Sequence, residues 1–148
     1  MSLPPLPPEA VVIGAAAPDW RAAVQRAGDA LVDSGAARPG YAGEMIRMIE
    51  EHGPYVVIAP GLALAHARPG PDVLADGLAI VTLAEPVAFG HPHNDPVRVV
   101  LGLAVADATG HLAAVAGLAN VFNDSTAVVD LAAAESVEAV LAIMEAGR

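Results

Sequence analysis

Between residues 55 and 106 the chain alternates short apolar runs with Pro and Gly punctuation, and segments of helical period flank this stretch on both sides. That order restricts the fold more than any other feature. The runs Tyr55–Ala59 (YVVIA), Leu62–Ala65 (LALA), Gly77–Leu83 (GLAIVTL) and Val97–Ala106 (VRVVLGLAVA) are rich in branched side chains and bounded by turn residues, so they read as strands. Ala10–Ala16 reads as a further, first strand, and Val87–Gly90 as a small edge strand. Pro60-Gly61 is a turn pair, and the segment His66–Pro71 supplies a second Pro/Gly turn. Both read as hairpin-type connections, so the sheet should not be purely parallel.

Helices frame these strands. Asp19 is placed to cap a helix in which Trp20, Ala23, Val24, Ala27 and Leu31 recur at helical spacing, with Gly35 as its stop. A second helix runs from about Tyr41 to Glu51 with Met45, Ile46, Met48 and Ile49 as its apolar face, ended by His52 and Gly53. After Thr109-Gly110 the pattern turns helical again, over His111–Phe122, Ser125–Ala133 and a Ser136-capped segment ending near Ala146. The expected fold class is α/β: a three-layer α/β/α sandwich with a mixed central sheet of about four to five strands flanked by helices.

A chain of 148 residues, 55% hydrophobic, can bury its own core as one domain. Residues 1–9 read as an extended, frayed Pro-rich arm, and residues 10–148 as a single domain. The apolar content is mostly small, with 33 alanines and only 3% aromatics, which suits close packing of helices on a sheet. Small exposed Ala-rich faces would also suit a homodimer. The seven cations are all Arg, against 17 Asp and Glu, giving a formal charge of −10. That balance opposes binding to nucleic-acid phosphates. With no Cys there can be no disulfide or thiolate chemistry, and with no Lys no Schiff base or P-loop lysine. The opening residues lack a basic segment followed by an apolar one, so they do not read as a signal peptide. The longest apolar run, Val99–Ala106, is far short of the ~20 residues of a membrane span, so no membrane insertion is expected.

The catalytic menu is therefore His, Arg and carboxylates. His66 ends an apolar strand where a Pro-rich loop begins, a position at a sheet rim, and Arg68 is close enough in sequence to offer an anion a cation. A solvated rim histidine reads equally well from spacing alone. His111 opens a helix, where free N–H donors favour an anion and a neutral ring; a capping histidine is the bland reading. His91 and His93 form a His-x-His pair that zinc could use, but Pro92 and the Asn94-Asp95-Pro96 turn read more simply as an exposed loop. His52 at a helix C-terminus is favourable there without any ligand. Arg47, between core-facing helix residues, and Arg98, alternating with apolar strand residues, read as solvated charges.

Three segments together resemble the enzyme IIA component of bacterial sugar phosphotransferase systems, in the mannitol/fructose superfamily: GPYVVIAPGLALAHARPG (Gly53–Gly70), FGHPHNDPVRVVLGLA (Phe89–Ala104) and HLAAVAGLANVFND (His111–Asp124). The resemblance spans about Val11 to Met144, and the G-P-Y-V-V-I-A-P-G lead looks most like the L-ascorbate branch. It implies that residues 10–148 form one EIIA domain of type 2. It implies a cytoplasmic phosphotransferase in which His66 accepts a phosphoryl group from the phosphocarrier histidine protein and passes it to enzyme IIB, for sugar uptake of the ascorbate type. His111 would donate to a phosphoryl oxygen, and Arg68 would neutralise charge. No cofactor or metal is implied. Two positions depart from the family pattern. Ala65 stands where the family usually has Pro, and Met48 stands where some members carry an Arg that touches the phosphoryl group. Arg47, beside it on a different helix face, is then the second cation candidate. Two other readings accompany this one. One is a regulatory interaction domain of the same fold that responds to phosphorylation. The other is a zinc hydrolase using His91, His93, His66 or His111.

Overall fold

The computed structural model describes residues 3–123 and 126–146, so the parts of the sequence readings that fall on Met1, Ser2, Asp124, Ser125, Gly147 and Arg148 lie outside the described residues. Among the described residues the strands are β1 (Val11–Ala15), β2 (Val57–Ala59), β3 (Leu62–His66), β4 (Gly77–Val87) and β5 (Val97–Ala104). The helices are α1 (Trp20–Asp33), α2 (Gly40–His52), α3 (Ala108–Val121), α4 (Thr126–Ala133) and α5 (Val137–Ala146). One five-stranded sheet runs in the order β1-β4-β5-β3-β2. It is mixed: β1 with β4 and β3 with β5 are parallel, while β4 with β5 and β2 with β3 are antiparallel.

The sheet separates two apolar cores. Ala23, Val24, Ala27 and Leu31 of α1 and Tyr41, Met45 and Ile49 of α2 pack with Ala63, Ala65, Ala79, Val81 and Val100 on one face. Leu118 of α3, Leu131 of α4 and Val140 of α5 pack with Leu62, Leu64, Leu78, Ile80, Leu101 and Leu103 on the other. Strand residues thus alternate between cores, as the two-residue period of a pleated strand requires. This is the expected three-layer sandwich. Small side chains bring the layers close: a Cβ at Gly28 of α1 would lie 2.4 Å from the Ala42 Cβ of α2.

Element ends follow local chemistry. Asp19 caps α1 by accepting the Ala22 N–H at 2.9 Å, and Ser136 caps α5 by accepting that of Ala139 at 3.1 Å. At Gly61 the backbone takes φ +79°, and β2 and β3 form a hairpin around it.

Several expectations change. The Pro/Gly segment after His66 is no hairpin, because β5 lies between β3 and β4 and residues 67–76 must cross its end. That crossing is tied to the α1–α2 connection, where Arg38 donates its N–H to the Asp72 carbonyl at 2.8 Å and Leu74 its own to Ala36 at 2.8 Å. Val87 pairs with Val97 past an irregularity in register, so β4 continues to it and Val87–Gly90 is no separate strand. Tyr55 and Val56 lie in a turn, which leaves β2 only Val57–Ala59. The N-terminal arm is seated rather than frayed: Pro5 accepts the Leu78 N–H at 3.0 Å, and Leu3 and Leu6 pack on the apolar core. Finally, α3 starts before His111, because Asp107 accepts the Gly110 N–H at 2.7 Å and nucleates the helix there. No single helix among the described residues is long and apolar enough to cross a membrane.

Candidate functional site

His66 is the last residue of β3 and pairs with Leu103 near the end of the parallel neighbour β5. Strands that end side by side leave a rim over which following loops and helices can close. Here the closing pieces are the start of the 67–76 crossing, the first turn of α3, the end of α2, and Tyr55. They line a cavity of about 570 Å³ with His66, Arg68, His111, Met48, His52, Tyr55 and Leu112 among its walls.

The His66 ring is held at one nitrogen. Its Nδ1 lies 2.8 Å from the Leu64 carbonyl, which only accepts, so Nδ1 carries the proton and Nε2 keeps its lone pair. Burial pulls the His66 pKa below the ordinary histidine value. The Leu64 hydrogen bond opposes that shift, and the neighbouring His111 adds to it. The ring is thus held neutral and in one tautomer, as a nitrogen nucleophile requires.

His111 stands on the fourth residue of α3, with its ring centroid 5.2 Å from that of His66. Its own N–H is already bonded to the Asp107 carbonyl at 3.0 Å, so the free donors of this helix start belong to the residues before it. Ala108, the first of them, lines the cavity. Arg68 is exposed and makes no hydrogen bond or ion pair among the described residues. The first turn of α3 and the Arg68 guanidinium thus bring positive potential to the rim where His66 sits.

Arg47 is placed otherwise. It pairs with Glu44 and with Glu51 (2.9 Å) on the exposed face of α2. It lines a neighbouring cavity of about 360 Å³ between α2 and the crossing, while Met48 faces the His66 cavity. His91 and His93 lie before β5, at the opposite end of that strand from Leu103 and His66. The His91 Nδ1 accepts the N–H groups of His93 and Asn94, and the Asp95 carboxylate accepts those of Phe89, Gly90 and His91. The pair therefore organises a loop and does not converge with His66 and His111. No group of three or more His, Asp or Glu among the described residues is arranged to hold a metal ion. Arg98 is exposed on β5, as its alternation implied.

The sequence reading did not single out the two tyrosines here. The Tyr55 ring meets His66 edge-on at 5.8 Å, and His52 in turn meets Tyr55 edge-on at 6.2 Å. Tyr41, on α2, is buried beneath the site, and its hydroxyl accepts the Ala67 N–H at 3.1 Å. A signal for Tyr41 was present: it lies one turn before Met45 and two before Ile49, so it shares their buried face, and a buried phenol needs a polar partner.

Comparison with known proteins finds relatives of this chain. A family model described as "Phosphoenolpyruvate-dependent sugar phosphotransferase system, EIIA 2" matches residues 5–147. The chain is 38% identical over 117 residues to the ascorbate-specific PTS system EIIA component of Shigella flexneri, covering 78% of this chain and 76% of that relative. Its fold is similar to that of a putative PTS IIA (PtxA) from Streptococcus mutans, with a TM-score of 0.86 at 33% identity over 95% of this chain and 89% of the other. It is also similar to the IIA mannitol protein of Escherichia coli solved in complex with phosphorylated IIB mannitol, with a TM-score of 0.83 at 27% identity over 95% and 96% of the two chains.

Proposed function

Because this chain belongs to the phosphoenolpyruvate-dependent sugar phosphotransferase system EIIA 2 family, we propose that it relays a phosphoryl group through Nε2 of His66, acting as one EIIA domain over residues 10–148. The observation that carries this reading is the single hydrogen bond from Nδ1 to the Leu64 carbonyl, which leaves Nε2 as the lone-pair nitrogen in a cavity shared with His111 and Arg68. The donor is a phosphohistidine of the phosphocarrier histidine protein. Nε2 attacks phosphorus, the new N–P bond forms as the carrier's N–P bond breaks, and the carrier ring leaves with the bonding pair. Nδ1 keeps its proton on Leu64 throughout. The second transfer, to enzyme IIB, breaks the His66 N–P bond and returns the electron pair to Nε2.

Positioning and electrostatics do most of the catalytic work in such a transfer, since the charge sits on the equatorial oxygens of a loosely bonded phosphoryl group. Arg68 supplies the formal charge, His111 donates to one oxygen, and the first turn of α3 adds its free N–H groups. Arg47, neutralised by two glutamates, contributes little. The ascorbate-specific names of the relatives support uptake of an ascorbate-type sugar, and the mannitol IIA–IIB complex supports a IIB partner for this chain. The relay runs in the cytoplasm.

The test is a relay from labelled phosphoenolpyruvate through enzyme I and the carrier. The wild-type chain is expected to take up label that is lost in acid and kept in alkali, and His66→Ala none. His111→Ala and Arg68→Ala should label slowly. Equal labelling of His66→Ala would show that another residue is the acceptor.

A further inference from the structure

We propose that Tyr41 is a positioning residue for phosphoryl transfer: its buried hydroxyl bridges Leu103 to Ala67 and so fixes the peptide that joins His66 to Arg68. The inference rests on the reading of His66 as the acceptor. β3 and β5 run in unbroken parallel register from Leu62 opposite Val99 to His66 opposite Leu103. One residue further the pattern changes. The Ala67 N–H donates to the Tyr41 hydroxyl at 3.1 Å, and that hydroxyl donates its only proton to the Leu103 carbonyl at 2.6 Å. A phenol oxygen thus stands between the two strand ends immediately after His66. It parts them there, and the chain leaves β3 with Arg68 at the rim.

Both partners and the tyrosine are buried: Ala67 is 6% exposed, Leu103 1% and Tyr41 2%. Without the hydroxyl, an N–H and a C=O would be left without partners in the core, and the strand ends would have to close or splay to satisfy them. Either movement displaces the peptide between the nucleophile and its cation. Tyr41 touches no reacting atom, so its effect passes through that peptide. The hydroxyl stays protonated, because burial raises its pKa.

Tyr41→Phe removes one oxygen and keeps the ring. Thr82→Val is the control, since it deletes the other buried hydroxyl among the described residues, which accepts the Gly14 N–H at 2.9 Å. Thr82 pairs with Val99, four residues along β5 from Leu103. Both variants should melt somewhat earlier. Only Tyr41→Phe is expected to slow labelling of His66, by about 10- to 100-fold, as a misplacement near 1 Å would. The ring itself gives a readout independent of any donor: nitrogen NMR should show one tautomer of His66 in wild type and Thr82→Val, and a mixture in Tyr41→Phe. Unchanged labelling and an unchanged ring in folded Tyr41→Phe would overturn the proposal, as would equal slowing by Thr82→Val. If Tyr41→Phe does not fold, amide exchange of the wild-type chain decides: the Ala67 N–H should exchange as slowly as the amides of β3, and exchange at loop rates overturns the inference. Should the wild-type chain label elsewhere than His66, the reading of the site fails, while the ring and exchange measurements still judge the role of Tyr41.

Discussion

At the scale of single residues the proposed relay depends on keeping one imidazole uncharged. His66 is held below the ordinary histidine pKa chiefly by burial, with His111 adding to the effect. The unfolded chain has no such environment, so its ring protonates near the ordinary value of about 6.5. Below that pH the unfolded state binds the extra proton and the folded state does not, so His66 makes no contribution at neutral pH and lowers stability as pH falls through that range. Two results follow. In a histidine NMR titration the His66 ring should have a midpoint below the ordinary value, and His66→Gln should lessen the loss of melting temperature between pH 7 and pH 5. A midpoint at or above the ordinary value would show that the ring is not held neutral. Much of this site was legible in the sequence. A histidine at the end of an apolar strand, a nearby arginine and a second histidine near the start of a helix were all visible, and the family motifs implied their roles. The Leu64 hydrogen bond and the Tyr41 bridge were not: the first depends on the rotamer that folds the His66 ring back onto the carbonyl two residues before it, and the second joins a helix residue to strand ends distant in sequence.

At the scale of elements, α2 does more than cover the sheet. It carries Tyr41 under the site and Met48 and His52 in the cavity wall, so its distance from the sheet sets the cavity. The position of α2 beside α1 is fixed at the contact of Gly28 with Ala42, the residue after Tyr41. A Cβ at Gly28 would lie 2.4 Å from the Ala42 Cβ and 2.9 Å from its Cα, and backbone cannot rotate away. Gly28→Ala should therefore push α1 and α2 apart, even though alanine is the better helix former. The expected cost is about 1–3 kcal/mol, seen as a lower melting temperature, together with slower labelling of His66 because Tyr41 moves with α2. A variant as stable as wild type would show that the helices have room to adjust. The ends of α1, α2 and α5 were read well because they are local: Asp19 and Ser136 cap within three residues, and Gly53 ends α2 with φ +82°, whereas the Asp107 cap that starts α3 was missed. The strand connections were read less well. The turn after His66 looks like a hairpin from its Pro and Gly, and only insertion of β5 between β3 and β4, a long-range pairing, makes it a crossing. The same pairing carries β4 on to Val87.

At the scale of the whole molecule, the net charge of −10 and the character of the rim act on different steps of partner binding. Around the His66 cavity large apolar side chains are exposed beside His52: Leu112 is 71% exposed, Tyr55 41% and Val115, one turn after His111, 37%. Arg68 is the cation among them. A partner that reaches His66 must cover this rim, and burying apolar area makes the complex slow to dissociate while leaving it nearly indifferent to salt. The charge acts earlier, at long range, where it draws in a basic partner face and is screened by salt. Stopped-flow binding of the carrier proposed as the phosphoryl donor should therefore separate the two. The association rate is expected to fall by about 10-fold or more from low to high salt, with the dissociation rate nearly unchanged. Leu112→Ala should do the reverse, raising the dissociation rate several-fold and leaving the salt dependence of association as it was. An association rate indifferent to salt would mean that the acidic surface serves solubility alone, and that the apolar rim accounts for recognition of the partner by itself.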